Sequence, residues 1–315
     1  MLLVSEFMVD SITNSDHSRT INMNILLAMI PAFFWGTTYA VTQFTLPDWP
    51  PLLLGALRAL PAGLLLLALR SSFPKRAEWG ILFAIGAINI AAFFSLIFVM
   101  AMTLPSAISG VGMVSVPVFA MLFHWVVSRR RPNGLQAICG AILVLLAWFL
   151  FDPRSISLNP LGLVAMLAAI LCIVIGSTLT KSLGQRIHWW TVITWQLIIG
   201  GVILGLVSGV HALFEPQHYV EAVTHITWRN ITGLAWVIVL NTALGYGLYV
   251  WLLQRMSVVD FTFGGIANPI AGIVSGLLLM HNTFTLFQYG LMIGMIVMSL
   301  LPQVIMGWRT TKTAQ

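Results

Sequence analysis

Charge is what this sequence has least of. Asp, Glu, Lys and Arg make up 8% of its 315 residues, against about 25% in soluble domains, so water is not the solvent for most of the chain. The nine acidic residues are scarcer than the basic ones, and none lies deep in an apolar run, so no buried carboxylate is at hand to carry a proton. HExxH, GxSxG and paired buried aspartates are all missing, which removes the usual intramembrane hydrolase chemistries. Ser208 and His211 share one Gly-rich helix and make a poor dyad. The two cysteines, Cys139 and Cys172, fall within apolar runs in neither CxxC nor metal-ligand spacing. They read as packing residues, and neither a disulfide framework, a metal nor a cofactor is expected. Residues 1–22 lack the basic start and long apolar core of a signal peptide. They read as a cytoplasmic tail, with Met23 a second candidate start.

What the chain has in abundance is apolar length. Hydrophobic residues make up 59% of it and the mean hydropathy is +0.95. Runs of roughly 20 apolar residues, each enough to cross about 30 Å of hydrocarbon, recur over 24–43, 51–69, 79–98, 105–127, 134–151, 160–180, 191–213, 230–253, 260–280 and 286–307. The expected fold is an all-α membrane protein of ten transmembrane helices. A net charge of +6 invites a nucleic-acid reading, but the placement of the cations excludes it. With both termini inside, twelve of the fifteen Lys and Arg residues fall in cytoplasmic segments, only Arg154 and Arg229 fall outside, and Arg58 lies within a span. That is a positive-inside bias facing anionic lipid.

The chain also repeats itself. Asn89 and Pro117 stand 28 residues apart inside otherwise apolar segments, and so do Asn241 and Pro269. Gly112 and Gly264 keep the same register, Gly176-Ser-Thr178 echoes Gly36-Thr-Thr38, and Gln196 with Gly201 echoes Arg58 with Gly63. The expected organisation is a tail over 1–23, a five-helix repeat over 24–152, a second over 159–308 and a short tail over 309–315. An odd number of spans per half inverts the second half relative to the first, and such inverted repeats place a binding site near the bilayer midplane. A membrane transporter taking a small-molecule substrate follows.

Candidate site residues are the polar and aromatic interruptions near that midplane. Arg58 lies about 12 Å along its helix from Pro51, where an isolated cation is costly unless paired, hydrated or snorkelled. It is either a solute anchor or a structural residue paired to backbone carbonyls. Asn89 and Asn241 offer amides, while Trp35, Tyr39, Phe93, Phe94, Tyr246 and Tyr249 offer aromatic walls. Pro117 and Pro269 each remove a backbone donor, so kinks lining the cavity are expected there. Gly201-xxx-Gly205-xxx-Gly209, Gly272-xxx-Gly276 and Gly290-xxx-Gly294 read as close helix-packing faces.

Taken together, Trp35-Gly-Thr-Thr-Tyr39, Pro50-Pro51 with Arg58 downstream, Asn89, Ser106-Ala107 with Pro117, and the second copy through Asn241 and Pro269 resemble the EamA-type branch of the drug/metabolite transporter superfamily. The resemblance spans about residues 24–307. It implies a central cavity built mainly from the first four spans of each half, a scaffold role for the fifth and tenth, and a bacterial inner membrane. It further implies export or exchange of small metabolites such as amino acids, with multidrug export as the alternative, by a monomer or homodimer. One departure stands out. Many members carry a glutamate just after the fourth and ninth spans, where this sequence has Ser128-Arg-Arg and Met280-His281-Asn282. Exchange or facilitated diffusion therefore stands beside proton antiport.

Overall fold

Apolar runs bounded by prolines and caps become helices. The computed structural model describes residues 26–129, 133–151, 158–183, 186–253 and 264–313. The N-terminal tail over 1–23, most of the linker between halves and Asp260, which opens the ninth apolar run, lie outside them.

Helix α1 covers residues 26–45, followed by α2 (Pro51–Leu69), α3 (Arg76–Thr103) and α4 (Ser106–Val127). Next come α5 (Gly134–Leu150), α6 (Pro160–Leu183), α7 (Trp189–Phe214) and a short polar α8 (Pro216–Thr224). Helix α9 joins three stretches, Trp228–Ala235, Trp236–Leu244 and Gly245–Leu253. Helices α10 (Ala267–Met280) and α11 (Leu286–Thr313) close the order. Among the described residues, every element is helical, and α2, α3, α4, α6, α7 and α9 are long and apolar enough to cross a membrane. Helices α5 and α10 and the Leu286–Pro302 part of α11 are shorter apolar helices.

The ends follow local chemistry. Pro51 occupies the first position of α2, where its missing N–H costs nothing. Asn133 caps α5 by accepting from Leu135 N–H at 3.2 Å, and Gln136 reaches back to the Asn133 N–H at 3.2 Å. Helices α4 and α10 end alike: Arg129 and His281 both take φ of 51°, the left-handed cap conformation usually held by glycine.

The largest buried cluster joins α2, α3, α6, α7 and α9 through residues such as Ala59, Ile97, Ile170 and Leu197. A second cluster packs Leu143 and Leu150 of α5 against Leu291, Met292 and Met295 of α11, beside Ile108 and Val111 of α4. Helices α2 and α7 cross closely, because a methyl group on Gly201 would lie 2.6 Å from the Leu60 backbone nitrogen. The expected Gly201-Gly205-Gly209 packing face ends there. Gly205 and Gly209 meet nothing within 4 Å, on a stretch of α7 whose Leu206, Val207, Val210 and Leu213 all stand exposed. Aliphatic surface of that kind is the lipid-facing side of a multi-pass membrane protein, where no partner helix is required.

Candidate substrate site

The repeated asparagines sit where the helices change pitch. Gly86–Ala92 in α3 and Trp236–Leu244 in α9 are π-helical, and each contains one of them. A π segment inserts one residue per turn, so some carbonyls lose their regular partners. Side chains take them up in α9. The Trp35 indole N–H donates to the Asn241 carbonyl at 2.9 Å, and the Thr242 hydroxyl donates to the Val237 carbonyl at 2.8 Å.

Helix α1 is bonded to α9 through the Trp35-Gly-Thr-Thr motif. Asn241 donates its amide to Thr38 Oγ1 at 2.6 Å, and Trp236 donates to Thr37 Oγ1 at 2.9 Å. Asn89 turns elsewhere: its amide donates to Gln196 of α7 at 3.3 Å, and it lies against Gly176 of α6, where a Cβ would stand 2.6 Å from it. Both asparagines keep a buried Oδ1 with no hydrogen-bond partner among the described residues.

Arg58 is 4% exposed and, among the described residues, is the only charged one that is buried. Its Nε–H donates to Thr242 Oγ1 at 2.8 Å, its guanidinium lies 4.2 Å from the Phe94 ring centre, and Phe98 follows at 5.9 Å. The one ion pair among the described residues is His218 with Glu215, on α8 and the residue before it. Among the described residues, the backbone-carbonyl pairing that would make Arg58 structural is absent, and its partners are a hydroxyl and aromatic faces with no counter-charge.

The aromatic residues expected as walls come together beside it. Trp35 lies 5.2 Å from Tyr246 and 5.3 Å from Tyr249 between ring centres, Phe94 lies 5.9 Å from Tyr246, and Phe93 lies 6.0 Å from Phe94. Tyr39 sits one turn beyond Trp35 on the same face of α1, at 4% exposure. Phe94 is fully enclosed, whereas Trp35 and Tyr249 are half-buried and form the accessible edge.

The two prolines do not sit alike. A 3₁₀ turn, Met113–Ser115, breaks α4 before Pro117, which becomes the second residue of the next stretch. Each 3₁₀ residue advances about 120° where an α residue advances about 100°, so three of them rotate the rest of α4 by roughly 60°. Pro117 ends exposed, bordering a groove with Met121, Gln136, Met298 and Pro302 rather than joining the aromatic group. Pro269 is buried at the third position of α10, near Gly110.

Thr242, Thr38 and Gln196 were not singled out by sequence as site residues. One signal pointed to Gln196: it occupies the register position of Arg58. The structure gives that equivalence a form, since Arg58 of α2 bonds into the π stretch of α9 and Gln196 of α7 bonds into the π stretch of α3.

The model of the EamA-like transporter family matches this chain twice, over residues 22–151 and 160–301. The chain belongs to the EamA-like transporter family. It is 31% identical to Protein PecM of Dickeya dadantii over 254 residues, covering 79% of this chain and 81% of that protein. It is 25% identical to the uncharacterized inner membrane transporter YedA of Escherichia coli K12, over 86% of this chain and 89% of that one. One crystal structure superposes with a TM-score of 0.59 at 18% identity, over 90% of this chain and 98% of its own, which is a likeness of fold. As an EamA-like transporter the chain is a membrane transport protein and not an enzyme.

Proposed function

We propose that this EamA-like transporter exports or exchanges small metabolites, amino acids or related carboxylates, across the bacterial cytoplasmic membrane by alternating access. Ten helices in two inverted five-helix repeats, bounded as 24–152 and 159–308 with both ends cytoplasmic, would rock about a site between them. The observation that carries the reading is Arg58: a buried cation among aromatic rings, without an acidic partner among the described residues. An isolated charge at that depth is retained for a solute or an ion path. Trp35, Tyr39, Phe93, Phe94, Tyr246 and Tyr249 would receive an apolar body. The unpaired Oδ1 atoms of Asn89 and Asn241 would accept N–H groups when the halves part. Multidrug export of cationic compounds is the weaker reading, because no acidic side chain is buried among the described residues to receive a cation.

The test is counterflow in liposomes, comparing labelled amino acids with a cationic dye, with and without a pH gradient. Saturable amino-acid exchange is expected, and Arg58→Ala, Asn89→Ala and Asn241→Ala should each lower it about tenfold or more, the scale of a lost charge-assisted or buried hydrogen bond. Parental rates in all three variants would show that the solute binds elsewhere.

A further inference from the structure

Arg58 has three ways to be engaged: through Nε, through the flat faces of its guanidinium and through the outer edge made by its two Nη groups. Two are taken. Nε–H is bonded to Thr242 Oγ1 at 2.8 Å, and Phe94 lies 4.2 Å from the guanidinium carbon. The Thr242 bond also has a fixed direction. Its hydroxyl proton is committed to the Val237 carbonyl that the π stretch leaves available, at 2.8 Å, so only its lone pairs face Arg58. Thr242 itself is fully buried, and water does not compete for either bond. No hydrogen bond from either Nη group is made to a described residue.

We infer that Thr242 is a positioning residue that holds the Nη edge of Arg58 open for a two-point, end-on grip on a single solute carboxylate. The inference rests on the proposed solute site. Planar guanidinium and planar carboxylate match through paired N–H···O bonds. The alternative side-on grip needs Nε, which Thr242 occupies. The one buried cation among the described residues fits a monoanion, and the rings around it fit an apolar or aromatic body, so the ligand class is an aryl or alkyl monocarboxylate. The π stretch thereby acquires a role, since the carbonyl it frees sets the polarity of the hydroxyl that orients the arginine.

The probes are 3-phenylpropionate, its neutral amide 3-phenylpropanamide and 2-phenylethylammonium, titrated against the purified full chain by thermal shift. Only the carboxylate should stabilise the parental protein. Thr242→Val should weaken it about tenfold or more, Thr242→Ser should restore it, and Arg58→Lys, which keeps the charge without the paired donors, should weaken it as much. In liposomes the Thr242→Val defect should appear in KM more than in maximal rate. If Thr242→Val does not fold, Arg58→Lys decides. No stabilisation by 3-phenylpropionate, equal stabilisation by its amide, or parental affinity in Arg58→Lys or a folded Thr242→Val overturns the inference. Saturable counterflow of a neutral or cationic solute in such a case leaves the transporter reading standing and removes only the carboxylate grip.

Discussion

Arg58 is the residue on which stability and transport should part company. Desolvating a cation costs several kcal/mol, and one hydroxyl and one aromatic face offset only part of that. Arg58→Met, of similar length and apolar, should therefore leave the thermal midpoint unchanged or raised while transport is lost. A fall in midpoint equal to that of a core truncation would make Arg58 a packing residue. Trp35 should behave in the opposite way. Trp35→Phe keeps a ring against Tyr246 and Tyr249 but leaves the Asn241 carbonyl unpaired, so a loss of about 1–2 kcal/mol is expected in denaturation. The identity of both residues stood out in the sequence, one as the lone charge in a span and the other as a tryptophan far from either interface. Their partners did not, because neither hydropathy nor repeat register says which hydroxyl or carbonyl a side chain will meet.

At the scale of the helix, the two matching left-handed ends give a symmetrical test. Arg129 and His281 hold φ of 51°, which costs a residue with a Cβ roughly 1 kcal/mol relative to glycine. Arg129→Gly and His281→Gly should each raise stability by about 0.5–1 kcal/mol. Unchanged or lower midpoints in both would show that side-chain contacts outweigh the backbone. On α7 the glycines should separate: Gly201→Ala forces the Leu60 backbone away and lowers the midpoint, whereas Gly205→Ala meets open space and leaves it level or slightly raised. The all-helical class and the long apolar helices were readable because apolar length and proline bounds dominate them. The π stretches were not, since one extra residue in a turn leaves the hydropathy of Gly86–Ala92 or Trp236–Leu244 unaltered. Asn89 and Asn241 were their only trace, and the 3₁₀ turn before Pro117 left none beyond the proline itself.

For the whole molecule, the internal register from Gly36 to Pro269 reads as two related halves, and the family model matches twice, over 22–151 and 160–301. What the register does not carry is the crosswise bonding, α2 into α9 and α7 into α3. In a bilayer, lipid-facing and partner-facing surfaces are equally apolar, so periodicity does not tell them apart. That crosswise bonding makes each half hold the other's π segment, and rocking of the halves would have to reshape the arginine and glutamine contacts together. Tyr249, at the accessible edge of the aromatic group, is where such motion is best observed. With Cys139 and Cys172 replaced by alanine, Tyr249→Cys in oriented membrane vesicles should react with a membrane-impermeant maleimide from either side, and transported solute should protect it on both. Reaction from one face only, whatever the solute and gradient, would contradict alternating access at this site.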